Sequence, residues 1–289
     1  MARYGVIADI HGNREALAAV LQVLEKKNLE SIICLGDIVG YNADPDECAA
    51  LVRARCKVSI AGNHELIGLG RLDFRRCTNN AEYALRRTRK TLGREAAAWL
   101  SRLPDTHVLE KGVVLVHGGV RDVCQYMAGA AQIAENARYL AEDFPGARVC
   151  FYGHSHQQKV FKVTSTDVQE VPADGEVALG PEDTYFINPG SVDASRKSRG
   201  KLAECALFDS GAGTVEFLRV AYDCAATEAK AAAFGYRIPP LVERAYIWRK
   251  RLQKQGQTTF SLARRLGKRG LSLVSSLLSR ARRRSYSRA

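Results

Sequence analysis

Five short apolar runs in the first 156 residues each end in side chains that can hold a metal, with glycine close by every time. The runs are 3–8, 31–35, 57–61, 112–117 and 147–152. They lead into Asp9-Ile10-His11, Gly36-Asp37, Gly62-Asn63-His64-Glu65, His117-Gly118-Gly119 and Gly153-His154-Ser155-His156. Runs of this length, rich in Val and Ile and bounded by turn residues, read as buried strands. Strands that repeat one kind of ending have to bring their carboxyl ends to a common edge. That edge is where open α/β sheets bind ligands. Glycine there lets the backbone turn sharply and approach closely.

Helical patterns fill the intervals between these strands. Residues 13–27 read as a helix with Leu17, Val20, Leu21 and Leu24 on one face. A second helix opens with Asp44 as N-cap, Pro45 at N1 and Glu47 at N3, a pattern of the capping-box type. Residues 79–103 read as two helices broken near Gly93, and 129–142 as one more. After Gly153 short β runs follow one another at 158–164, 167–171, 184–188, 203–208 and 214–220. The first part therefore reads as βαβ units over a parallel sheet, and the second as a mostly antiparallel sheet. Residues 224–252 read as helical, interrupted by Pro239-Pro240.

Six histidines occur in the chain, and five of them (11, 64, 117, 154, 156) fall in the strand-end segments. The remaining one, His107, reads as a loop or strand-edge residue. Together the segments offer five His, two Asp, one Glu and one Asn, with no thiolate. Mixed nitrogen and oxygen ligation suits Mn, Fe, Zn, Co or Ni better than Mg or Ca. The eight cysteines are scattered, without a C-x-x-C pair, and read as reduced thiols. No G-x-G-x-x-G or P-loop pattern is present, which argues against nucleotide cradles of those kinds.

The stretches ADIHGNREAL (8–17), LGDIVGYNADPDEC (35–48), AGNHE (61–65), VHGG (116–119), YGHSHQ (152–157) and INPGSV (187–192) resemble the calcineurin-like metallophosphoesterases, in particular the compact prokaryotic phosphoesterases. The resemblance covers about residues 3–250. It implies an α/β fold of four α/β/β/α layers built on two mixed sheets. It also implies two divalent transition-metal ions, with Mn²⁺ the first choice. One ion would be held by Asp9, His11, Asp37 and His156, the other by Asp37, Asn63, His117 and His154. Asp37 would bridge them. His64 would be no ligand and would face the leaving-group side of the phosphate, with a structural histidine as the other reading. Glu65 stands where the family often has Asp, and is expected to orient His64 or a strand-end backbone. Asn63, His64 and Arg196 are the expected substrate contacts. Arg196 lies in DASRKSRGKLAE, a segment without the Pro and Arg that the family usually carries there.

The activity implied is hydrolysis of phosphate esters, as a phosphatase or phosphodiesterase, by a metal-activated hydroxide. Two metals side by side can clamp the attacking and leaving oxygens of an in-line displacement. Asp37 and His64 are the expected catalytic side chains. The competing reading is a non-catalytic scaffold or binding protein on the same fold, directed by its tail. Such a protein would be expected to lose ligands, and all seven are present here.

Most of the net charge of +12 belongs to that tail. Residues 254–289 carry ten Lys or Arg and no acid, while the other 253 residues hold 33 basic and 31 acidic side chains. A metallophosphoesterase domain of 1–253 and a basic tail of 254–289, rich in Ser, Arg and Leu, are the expected organisation. The tail fits a solvated segment, an amphipathic one on an anionic membrane surface, or a nucleic-acid contact. The N-terminus lacks a signal-peptide pattern, and no apolar stretch approaches the roughly 18 residues of a membrane span. A cytoplasmic protein, with peripheral membrane association through the tail, is the expectation.

Overall fold

The computed structural model describes residues 2–110, 112–197 and 200–250. In order these form β1 (Arg3–Ile7), α1 (Arg14–Leu24), β2 (Ser31–Cys34), α2 (Pro45–Arg55), β3 (Cys56–Ser59), α3 (Asn63–Gly68), α4 (Asn79–Thr91), α5 (Arg94–Leu100), β4 (Thr106–Glu110), β5 (Val113–Val116), α6 (Ala130–Asp143) and β6 (Val149–Phe151). There follow β7 (Gln158–Val163), β8 (Val168–Val171), β9 (Glu176–Ala178), β10 (Thr184–Pro189), β11 (Ala203–Asp209), β12 (Thr214–Val220) and α7 (Cys224–Ala233). The expected domain end at 253 and the tail of 254–289 lie outside the described residues.

Two six-stranded mixed sheets result, ordered β3-β2-β1-β11-β12-β9 and β4-β5-β6-β10-β7-β8. The expected split into a parallel sheet followed by an antiparallel one is corrected here. Each sheet takes three strands from the first part of the chain and three from the second. In the first sheet β1, β2 and β3 run parallel, and β11 joins β1 antiparallel. In the second, β5, β6 and β10 run parallel, with β4 and β7 antiparallel at either side. Periodicity tells which residues of a strand face inward but not which neighbour the strand will choose.

The period of two along each strand builds the layers. Tyr4, Val6 and Ala8 of the β1 run pack between the sheets with Leu115, Phe151, Ile187 and Phe208. Ile7, one step off, packs against Leu17, Val20, Leu21 and Leu24 of α1. Val114 and Val116 of β5 turn away from the other sheet and meet Ile133 and Leu140 of α6. The α/β/β/α sandwich is thus two sheets face to face, with α1 and α2 outside one and α6 outside the other.

Local signals are met unevenly. Asn13 caps α1, its Oδ1 accepting from Ala16 N at 3.0 Å. Gly93 separates α4 from α5, and its N–H donates to Asp46 Oδ1 at 2.8 Å. The capping box expected at Asp44 is not formed. Asp44 makes no side-chain cap bond, and its carboxylate instead accepts from Lys230 Nζ of α7 at 2.8 Å. A tertiary ion pair has outcompeted a local cap there. None of the eight cysteines forms a disulfide.

The chain divides into two compact units, Met1–Ile238 and Pro239 onward. In the second unit residues 240–250 are helical. No helix among the described residues is long and apolar enough to cross a membrane.

Candidate metal centre

The carboxyl ends of β1, β2, β3, β5 and β6 converge, and with them all seven residues expected as ligands. Two clusters form, with nitrogen and carboxylate oxygen atoms close enough to share an ion: Asp9, His11, Asp37 and His156, and Asp37, His117 and His154. Asp37 belongs to both. Asn63 joins the second, with its Oδ1 at 3.1 Å from His117 Nε2. In the first, His11 Nε2 lies 3.1 Å from His156 Nε2 and 3.8 Å from Asp37 Oδ2. His156 Nε2 lies 3.5 Å from Asp9 Oδ1. In the second, His117 Nε2 lies 3.3 Å from Asp37 Oδ2.

Backbone carbonyls set two of the imidazoles. His117 Nδ1 is 2.8 Å from Leu35 O, and His11 Nδ1 is 3.3 Å from Val39 O. A carbonyl only accepts, so each Nδ1 carries the hydrogen, and in the neutral ring each Nε2 aims its lone pair into the cluster. Two further atoms are buried among these groups without a hydrogen-bond partner, Asp9 Oδ2 and His154 Nε2. Buried polar atoms seldom stay unpaired without a reason. Convergent lone pairs, orphaned donor atoms and a mixed N/O set fit divalent transition metals.

Five of the seven residues hold backbone in the left-handed region: Asp9 (φ 56°), His11 (53°), Asp37 (54°), His154 (64°) and His156 (57°). Each such residue costs on the order of 1 kcal/mol, and the cost is met by surrounding structure. Cross-loop hydrogen bonds supply it, among them His11 N to Asp37 O at 2.8 Å and Gly12 N to Ile38 O at 2.7 Å. Gly62 is required by close approach, because a Cβ there would stand 2.2 Å from Asp37 Oδ1.

Glu65 explains how the ends of β2 and β3 are joined. Its buried carboxylate accepts from Asp37 N, Ile38 N and Gly62 N, each at 2.8 Å, and from Val39 N at 3.1 Å. It touches strand-end backbone and no metal-capable atom, in line with its sequence reading. Burial raises the Asp9 carboxyl to about 8, with the charge of Asp37 adding to the effect. Burial alone would also raise Asp37, but His117, His64 and His11 outweigh it and hold Asp37 well below the carboxylate range. His117 is pushed the other way: burial opposes its charge, yet Asp37 and Asp9 lift it to about 9. Burial, with His117 beside it, lowers His154 to about 3. The centre thus draws positive charge towards Asp37.

His64 is buried beside the clusters and is not part of either. Its N–H donates to Asp37 Oδ1 at 2.8 Å, its Nδ1 faces Val39 O at 3.1 Å, and its Nε2 is 3.9 Å from Asp37 Oδ2. Arg196, read from the sequence as a substrate contact, reaches the same edge. Its Nε donates to Asp193 Oδ2 at 3.0 Å, its Nη2 lies 3.1 Å from His156 Nδ1, and its guanidinium stacks on Tyr41 at 3.6 Å. Lys197 turns away to Glu204 at 2.6 Å. Asn188 supports the edge, donating to Gly153 O at 2.7 Å. His107 sits in β4, and Arg14 is exposed at the start of α1.

A cavity of about 1370 Å³ opens over the centre, lined by Asp37, Asn63, His64, His154, His156 and Arg196 at its floor. Its walls come from segments 71–78 and 122–126. Sequence reasoning missed how these walls are held. Arg86 and Arg89 of α4 both stack on Phe74, at 4.4 and 4.3 Å. Arg76 spans to the other wall, donating to Asp122 Oδ2 at 2.7 Å and Cys124 O at 2.6 Å. Tyr126 stacks on His154 with ring centroids 4.0 Å apart. The buried anchor Asp193 was also missed; it accepts from Asn13 Nδ2 at 2.9 Å and Ser195 Oγ at 2.7 Å besides Arg196.

A sequence profile of the calcineurin-like phosphoesterase superfamily domain matches residues 2–212. The chain belongs to that superfamily. A metallophosphoesterase from Sphaerobacter thermophilus is similar in structure, with a TM-score of 0.66 and 30% identity over 84% of this chain and 97% of that one. A hypothetical protein from Pyrococcus horikoshii shares the fold at a TM-score of 0.64 and 19% identity, covering 84% of this chain and 97% of its own. An uncharacterized protein of Methanocaldococcus jannaschii is 32% identical over 223 residues, 75% of this chain and 87% of that one. The strand-end clusters lie within the matched span, so this calcineurin-like phosphoesterase carries its metal-capable residues inside the family domain.

Proposed function

We propose that this protein hydrolyses phosphate esters with two divalent transition-metal ions. The carrying observation is the pair of clusters sharing Asp37 at the floor of a large open cavity. Asp9, His11, Asp37 and His156 would hold one ion and Asp37, Asn63, His117 and His154 the other. When bound, such ions supply a water acidic enough to act as nucleophile and positive charge against the phosphoryl oxygens.

The chain's own residues do the rest. Carbonyl contacts at Leu35 and Val39 keep His117 and His11 in the tautomer that presents Nε2. His64 has Nδ1 engaged with Val39 O, so only the protonated ring, which burial disfavours and Asp37 favours, carries a proton on Nε2 at the cavity for the leaving oxygen. Arg196 holds the phosphate from the same cavity floor, its guanidinium oriented by Asp193 and the Tyr41 face. The cavity exceeds what a bare phosphate needs, so the substrate brings an organic arm that lies along the walls of segments 71–78 and 122–126.

The test is hydrolysis of an aryl phosphate monoester and the matching diester by protein whose metal content has been measured, with Mn²⁺ added. Turnover of at least one is expected. Protein holding two equivalents of metal that hydrolyses neither would refute the reading. His64→Ala should lower turnover roughly 10²- to 10⁴-fold at unchanged metal content. Unchanged turnover would return His64 to a structural role.

A further inference from the structure

The division into two units separates charge almost completely. Met1–Ile238 holds 29 basic and 30 acidic residues, and Pro239 onward holds 14 basic and one acidic. The net charge of +12 therefore comes entirely from the last 51 residues. The helical stretch 240–250 opens that unit. Leu241 is 78% exposed and Trp248 66%, with Ala245 exposed between them and Ile247 at 40%.

Leu241, Ala245 and Trp248 are four and three residues apart, so they share one helical face. Arg244 flanks that face. Glu243, the one acidic residue of the unit, stands on the opposite side. Leu and Trp on one face at this exposure call for a partner surface, and Trp suits one that is apolar on one side and wet on the other. From 251 to 289 the sequence adds eleven Lys or Arg and seven Leu with no acid. Cations alone would serve a nucleic-acid backbone, which has no use for interleaved leucines. An anionic bilayer takes up both, charge at the headgroups and apolar side chains beneath them.

We propose that the chain from Pro239 onward binds the surface of anionic lipid membranes. The Leu241–Ala245–Trp248 face enters the headgroup layer, and the Lys and Arg series pairs with lipid phosphates. This holds whatever the metal centre hydrolyses.

The experiment uses the full chain with Trp99→Phe, so that Trp248 is the one remaining tryptophan. It is mixed with vesicles of phosphatidylcholine alone, or of phosphatidylcholine with phosphatidylglycerol. Binding to the anionic vesicles in low salt is expected, with a blue shift of the Trp248 emission. It should weaken at least about tenfold in 0.5 M salt. Trp248→Ser in place of the native residue should lower vesicle sedimentation roughly tenfold, while binding of a labelled DNA duplex stays the same. Sedimentation that is unaffected by Trp248→Ser, with no emission shift in the parent, would overturn the proposal. So would binding to DNA without binding to anionic vesicles.

Discussion

Between Met1 and Ile238 acidic and basic side chains are nearly equal in number; from Pro239 on there is one acid among 14 bases. The two regions use charge in different ways. In the first, the decisive charges are buried and fixed. Asp9, Asp37, Glu65 and Asp193 are all almost wholly out of water, each held by named backbone or side-chain donors. Burial makes each of them expensive to leave unpaired, so position matters more than number. In the second region composition carries the information. A series of cations without acids attracts anions at long range and is weakened by salt, with little dependence on any single residue. The buried charges of one region should respond to single-atom changes, and the cations of the other only to bulk ones.

The largest effect expected from that contrast is at the shared carboxylate. Asp37→Asn should lower turnover of the aryl ester by more than about a hundredfold and reduce bound metal, as read by steady-state rates and elemental analysis. Retained turnover with two equivalents of metal would break the picture of a shared ligand. Glu65→Ala comes next. It strips the acceptor from four backbone N–H groups, and should cost about 3–5 kcal/mol in urea unfolding. A loss below about 1 kcal/mol would mean that water replaces the carboxylate there.

Arg196→Gln should act on substrate more than on fold. KM for the aryl ester should rise about tenfold with a smaller change in kcat, since one charge-assisted contact is lost. An unchanged KM would place Arg196 outside the substrate site. The smallest effect is expected in the basic region. Replacing Arg280, Arg282, Arg283 and Arg284 together by Gln should shift unfolding free energy by less than about 0.5 kcal/mol and leave aryl ester turnover alone. Four charges removed with no cost to the body, against one carboxylate removed at high cost, would sharpen the comparison most directly.

Legibility in the sequence followed the same division. All seven metal-capable residues could be read because each sits within a few residues of the strand that carries it. A short apolar run and a glycine mark its place. The helix faces of α1 and the break at Gly93 were also legible, since 3.6-residue periodicity and glycine act locally. Asp44 misled because its local signal was sound: a cap was available, and Lys230, 186 positions away, took the carboxylate instead. Tyr126 and segment 71–78 can be placed near the site from the sequence, but nothing in their spacing shows which wall of the cavity they will form.

By itself the sequence determined the kinds of metal-capable side chain, their order along the chain, the strands that deliver them and the concentration of positive charge at the C-terminal end. These follow from near neighbours and from counting. The tertiary structure alone decided that each sheet would combine three early and three late strands, and that Asp37 would stand within reach of both histidine pairs. It also decided that Glu65 would tie two loops by four amides, and that five of the metal-capable residues would sit in left-handed backbone. Those outcomes depend on contacts between residues far apart in the chain. Strand partners and buried hydrogen bonds are chosen by packing the whole body at once, and short-range periodicity contains no term for that choice.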